Sequence, residues 1–214
     1  MEQFFELTKE QSRFYDQVLN FYFSENGKFK GAIYRPFIYE QKLTDNLYAE
    51  DNREMILQSN LYDFMRRLLV HRFESSFGAF AQSLQNFLSI HRKALAFIER
   101  TGKFILDRKL LEKIYNSDDA EIAEALAAYE TMLNEATVLP KNNKIYELNT
   151  FASKDKFLQD IRNDIALFEE LIKIVEDLEL ASNDPKAECL ADAINAVLDG
   201  KQCGRRIQRV QSGF

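Results

Sequence analysis

The chain has 214 residues, 46% of them hydrophobic and 29% charged, with a net charge of −6. That is enough apolar material for one large domain or two small ones, and the acidic balance excludes a uniformly basic nucleic-acid coat while leaving room for a local basic face. Three prolines and seven glycines favour long helices, and eighteen Phe and nine Tyr without a Trp put phenyl rings at the core.

Along the chain, "MEQFFELTKEQ" carries two acids before Lys9 and no long apolar run, which is not the pattern of a signal peptide. Thr8 reads as a helix N-cap with Gln11 as its capping-box partner, and Phe14, Val18, Phe21 and Tyr22 follow on one helix face. "NGKFKGAIYRPFIYEQ", with Gly27, Gly31 and Pro36, reads as a loop region. From about Thr44 the pattern is helical to about Arg100, with Asn46, Asp51 or Ser59 as starts and a break or bend near Gly78.

Within that run, "RRLLVHRFESSFGAF" (66–80) places Leu61, Met65, Leu68, Leu69, Ser76, Ala79 and Phe80 on one arc of a helix. Arg72 falls in the middle of that arc, and a buried guanidinium requires a carboxylate or carbonyl acceptors. "TGKFILDRKLLEKIYNSDD" predicts a turn and a short helix, and "DDAEIAEALAAYETMLNEA" an acidic, Ala-rich helix. "TVLPKNNKIYELNTF" is the clearest linker. From a Ser153 cap, Phe157, Ile161, Ile165, Phe168, Ile172 and Val175 mark an amphipathic helix. "KAECLADAINAVLDG" is a last short helix, and "KQCGRRIQRVQSGF" has no pattern. Residues 61–100 carry six Lys/Arg against three acids, residues 151–190 five against ten, so the two stretches differ in sign and suit packing against each other.

Chemical motifs are sparse. There is no phosphate-cradling G-x-x-x-x-G-K-[ST] and no G-x-S-x-G nucleophile elbow. His71 and His91 read as surface or partly packed side chains. Asp118-Asp119 reads as a helix start and Glu169-Glu170 as a solvated face, since neighbours on a helix do not face each other. Cys189 and Cys203 make no metal set or disulfide framework. Arg66, Arg67, His71, Arg92 and Lys93 lie along one helical stretch and are candidate phosphate contacts. No run of about 18 apolar residues suggests a membrane span. The cytoplasm is the expected location.

"LTKEQSRFYDQVL" (7–19), "YRPFIYEQ" (34–41), "NLYDFMRRLLVHRFESSFGAFAQSL" (60–84) and "DPKAECLADAINAVLDG" (184–200) together resemble bacterial Swi/Snf-type helicase-like ATPases. The first resembles the segment after the first motor lobe, the second and third the helical insertion, and the fourth the helix opening the second lobe. The recurring insertion core corresponds here to Arg72, Phe73, Glu74, Ser75, Ser76, Ala79 and Phe80, with Arg72, Glu74, Ser75, Ser76 and Phe80 in structural roles. The resemblance implies a helical region that couples two RecA-like lobes to duplex DNA. It implies no catalytic, cofactor-binding or metal residue in this chain, because ATP and magnesium belong to the lobes, whose motifs are missing. The implied partners are those lobes and, weakly, duplex DNA, with self-association through apolar surface where lobes would sit. The tail stands where the family has an apolar strand, so the chain is expected to be a truncated fragment.

The expected architecture is all-α, with about six to eight helices over residues 1–200 and a sub-boundary near 138–150. A short strand at Phe4–Leu7 has no evident sheet partner, and residues 201–214 are an unstructured or frayed tail. The rival expectation is a stand-alone helical module that binds a protein partner, with no ATPase or DNA role.

Overall fold

The computed structural model describes residues 3–5, 7–40, 49–106, 144–198 and 207–209, with single positions 124, 128 and 131. The chain is mostly helical, with five α-helices among the described residues: α1 (Lys9–Gln17), α2 (Ala49–Ser75), α3 (Phe77–Thr101), α4 (Lys154–Asp177) and α5 (Pro185–Leu198). It is not purely helical. Strands β1 (Gln3–Phe5) and β4 (Ile207–Arg209) pair in parallel, and β2 (Lys103–Leu106) and β3 (Lys144–Glu147) pair antiparallel. The expected acidic helix at 118–136, apart from positions 124, 128 and 131, which are helical, and the expected start at Asn46 lie outside the described residues.

Helix α1 begins as its sequence dictates. Thr8 Oγ1 accepts from Gln11 N–H at 3.2 Å, and the Gln11 side chain accepts from Thr8 N–H at 3.0 Å, which closes the capping box. Its continuation departs from α geometry. Val18–Tyr22 is a π-turn, and its extra residue per turn rotates the chain beyond it about the helix axis. Phe14, Val18 and Tyr22 are buried as expected, but Phe21 is 50% exposed and Phe23 takes its place inside.

The long helical run breaks at Ser76, two positions before Gly78. Gly78 lies within α3, while Ser76 is extended (φ −158°, ψ 139°) and caps α3 through Ala79 N–H. The core side of α2 carries Gln58, Leu61, Tyr62, Met65, Leu69 and Phe73, all buried. Phe73, not Arg72, therefore occupies its centre near the break. Arg72 is half-buried and engaged. The rest of the predicted arc is found inside, with Leu61, Met65, Leu68, Leu69 and Phe80 buried and Ser76 and Ala79 half-buried, although residues beyond 76 belong to a second helix.

Helix α3 ends at Gly102, whose φ of 69° closes it through Gly102 N–H to Ile98 O at 2.7 Å. A strand opens the stretch expected to be a turn and a short helix, because "KFIL" finds "KIYE" of the expected linker in register, Phe104 opposite Tyr146; the helix expected further on, in 107–119, lies outside the described residues. The strand at the N-terminus has a partner after all, β4, drawn from the tail expected to be unstructured. Helix α5 packs against β1.

Among the described residues, helices α3 and α4 form the most extensive packing. Ion pairs cross this interface in both senses, Arg92 of α3 on Glu169 of α4 and Arg162 of α4 on Glu99 of α3. Phe157, Ile161, Phe168 and Val175 are buried as predicted, Ile165 and Ile172 only partly, and Leu167 and Leu171 join the core. Ser153 precedes α4 but makes no side-chain cap; its N–H donates to Tyr39 O at 3.2 Å. The buried side chains from Phe14 to Leu180 make one cluster rich in edge-to-face rings.

Candidate functional site

In a continuous helix the Phe77 N–H would donate to the Phe73 carbonyl one turn earlier. The extended Ser76 opens that hydrogen bond, leaving a helix C-terminus and a helix N-terminus back to back. Both orphan groups are taken by residues from the start of α5. Phe77 N–H donates to Asp184 Oδ2 at 2.7 Å, and Lys186 Nζ donates to Phe73 O at 2.6 Å. The charges match the dipoles: a carboxylate at the N-terminus of α3 and an ammonium at the C-terminus of α2.

Asp184 is also used twice more. Ser76 Oγ–H donates to Oδ2 at 3.1 Å, and Lys186 N–H donates to Oδ1 at 3.0 Å. The last contact makes Asp184 the N-cap of α5, with Pro185 at the first helical position, where its missing N–H costs nothing. One carboxylate thus serves the N-termini of two helices. Asp184 and Lys186 are 4% and 5% exposed, so neither charge is bathed in water. The Lys186 ammonium sits 4.1 Å from the Phe77 ring centroid and 5.2 Å from that of Phe73.

Residues of α1, of the α2–α3 corner and of the start of α5 meet at this point. Phe14 and Tyr15 of α1 pack on the Phe73 ring, with centroids 5.6 and 5.1 Å away, and Tyr15 Oη donates to Glu74 at 3.3 Å. Phe77 and Phe80 close the other side at 5.3 and 4.9 Å. Of the expected motif residues, Ser76 and Phe80 form part of this junction, Glu74 receives Tyr15 on an exposed edge, and Ser75 is exposed as the last residue of α2. The described part of the second segment, Tyr34–Glu40, lies elsewhere: Phe37 N–H donates to Gln58 Oε1 at 2.9 Å, and Tyr39 Oη–H to Asp160 at 2.8 Å. Burial and that carboxylate raise the Tyr39 phenol far above its ordinary range.

The candidate phosphate contacts do not behave as one set. Arg66 is committed inward, donating to Phe23 O at 2.9 Å and pairing with Asp63 at 3.4 Å. Arg67 and His71 are both exposed on α2. Arg92 is exposed but paired with Glu169, and Lys93 is half-buried and engaged. Glu169 and Glu170 are indeed on a solvated face, yet each has its own partner. Glu170 accepts from Tyr22 Oη–H at 2.8 Å, and burial with that bond pushes the phenol up to about 12.

His91 is not a surface residue. It is wholly buried among the rings of Phe29, Tyr34, Phe87 and Phe168. Opposite it lies Asp164, also wholly buried, which accepts Lys30 N–H at 2.7 Å and Ala32 N–H at 3.3 Å. Reading the sequence alone misses Asp164, although it falls inside the arc of Phe157, Ile161 and Phe168, the same signal that singles out Arg72. It also misses Asp184 and Lys186, although Asp-Pro at a helix start is a readable cap.

Among the described residues there is no cluster of three or more His, Cys, Asp or Glu side chains placed to hold a metal ion, and no helix is long and apolar enough to cross a membrane. Compared with known proteins, the chain matches no family model, no curated protein and no solved structure.

Proposed function

We propose that this chain is a non-catalytic helical coupling region of the kind that sits between the two motor lobes of a Swi/Snf-type ATP-dependent DNA translocase. The reading rests on the segment resemblance together with one observation: the broken helical bond between Phe73 and Phe77, whose two halves are held by Lys186 and Asp184. Such a junction has two discrete arrangements. With α5 docked, the α2–α3 corner is bent and its polar groups are satisfied from outside. With α5 withdrawn, the same groups satisfy each other by straightening. A bistable element of this type converts movement at α5 into a change of angle between two long helices. In this reading α5 and the β1–β4 pair belong to the side that moves with a lobe. ATP and magnesium act on the lobes, and DNA contact by this region is weak.

The test has a genetic and a biochemical part. Adjoining coding sequence for RecA-like lobes, one with a P-loop, is the expected result, and unrelated genes on both sides overturn the reading. The purified chain is expected to turn over no ATP above background. Turnover that survives stringent purification defeats the non-catalytic assignment.

One observation favours a second reading, a stand-alone module that binds a protein partner. Leu190, Ile194 and Leu198, spaced one turn apart on α5, are 51%, 51% and 78% exposed. Unrelated flanking genes together with a monodisperse chain in light scattering would bring that reading forward.

A further inference from the structure

His91 Nδ1 lies 2.7 Å from Phe87 O one helical turn earlier, so Nδ1 carries the ring hydrogen and donates it. Nε2 is then a bare acceptor. It has no hydrogen-bond partner, is fully buried, and faces Asp164 Oδ2 at 3.9 Å. Two acceptors turned toward each other in a wholly buried site repel unless a proton stands between them. We propose that Asp164 and His91 form a neutral acid–base pair, its one proton held on the carboxyl oxygen that faces Nε2, and that this pair is a pH-sensing lock between α3, α4 and the Lys30–Ala32 turn.

The surroundings favour the neutral pair over an aspartate–imidazolium ion pair. Four aromatic rings enclose the imidazole, and burial pushes its pKa down to about 4. Burial also pushes the Asp164 carboxyl up to about 7, against the lowering effect of the backbone N–H groups of Lys30, Ala32 and Gly31. The charged groups nearby do not offset this. On α4 itself Asp160 adds negative charge one turn away and is occupied by Tyr39. The Lys30 ammonium turns back to Gly27 O at 3.1 Å. The Arg35 guanidinium donates to Lys30 O at 2.8 Å and lies over the Tyr62 ring. From α2, the Tyr62 phenol donates to Phe29 O at 3.0 Å.

Folding therefore moves a proton, in effect, from His91 to Asp164. The raised carboxyl contributes stability that is complete below its unfolded value near 3.8 and is lost as pH rises through about 7. The lowered imidazole contributes stability that is complete above 6.5 and is lost as pH falls toward about 4. Between roughly 4.5 and 6.5 the two dependences cancel, and near pH 7 the lock loosens as Asp164 ionises without a cation beside it.

The test compares urea unfolding of the wild type, Asp164→Asn and His91→Gln from pH 4.5 to 6.5. Relative to wild type, the folding constant of D164N is expected to rise about tenfold per pH unit, and that of H91Q to fall by about the same factor, one proton being uncovered in each. Profiles parallel to wild type in both variants overturn the proposal. Nitrogen-15 NMR of the wild type decides independently if either variant fails to fold. A neutral ring protonated at Nδ1 from pH 5 to 8 supports the pair, and an imidazolium at pH 6 overturns it.

Discussion

Ser76 Oγ and Asp184 Oδ2 are 3.1 Å apart although 108 residues separate them in the chain. The serine interrupts what would be one very long helix, and the aspartate makes the interruption tolerable. Removing that carboxylate leaves Phe77 N–H and Lys186 N–H buried without acceptors and takes the acceptor of the half-buried Ser76 hydroxyl as well. Asp184→Ala is expected to cost about 1–3 kcal/mol for each orphaned group, checked by urea denaturation. Ser76→Ala removes only the hydroxyl and is expected to cost about 1 kcal/mol, as a lost cap does.

Lys186→Met keeps the length and most of the apolar stem but deletes the ammonium on Phe73 O. The expected loss is about 1.5–3 kcal/mol, the range for a hydrogen bond to a charged group. If Asp184 and Lys186 act as one clamp, D184A and K186M together cost less than their sum. A double-mutant cycle on unfolding free energies measures this coupling, and strict additivity contradicts it.

Gly31 and Gly78 are expected to respond to alanine in opposite directions. Gly31 has a φ of 58°, and a Cβ there collides with the Tyr62 ring. Gly31→Ala therefore combines backbone strain with displacement of a core ring, and a loss above about 1 kcal/mol is expected. Gly78 is helical, and a Cβ there meets only Ser76 Oγ at 3.6 Å. Gly78→Ala is expected to gain about 0.5–1 kcal/mol. Thermal melts of the two variants suffice.

The basic residues separate by role. Arg66→Ala is expected to lower stability, because it strips the donor from Phe23 O. Arg92→Ala removes an exposed pair with Glu169 and is expected to cost no more than about 1 kcal/mol. Under the coupling proposal, Arg67 and His71 are the outward-facing pair on α2, so Arg67→Ala is the variant expected to weaken binding of a duplex at low salt. Fluorescence anisotropy at two salt concentrations checks it, since phosphate contacts weaken steeply as salt rises.

Features whose cause is local are legible in the sequence. Thr8 and Gln11 form their capping box because both partners lie within one turn. The face of α4 and the charge contrast between the middle and late helices arise from composition along each helix. Features set by distant partners are not legible. "KFIL" becomes a strand because "KIYE" pairs with it, and four residues are too few to announce that alone. Phe21 and Phe23 exchange places because of a π-turn that no periodicity encodes. His91 gives no signal by itself because Asp164, the group that faces it, comes from another helix. At the candidate site Ser76 and Phe80 are visible as motif residues, while Asp184 and Lys186 acquire meaning only beside the broken bond they complete.

That broken bond also has a consequence for synthesis. A chain emerging from the ribosome produces α2 and α3 long before residue 184, so the corner at Ser76 leaves the exit tunnel with its Phe73 carbonyl and Phe77 N–H unclaimed by α5. Until α5 arrives, water or a straightened helix must satisfy both. Fixing the bend is therefore expected to be a late event in synthesis, waiting on residues 184–186.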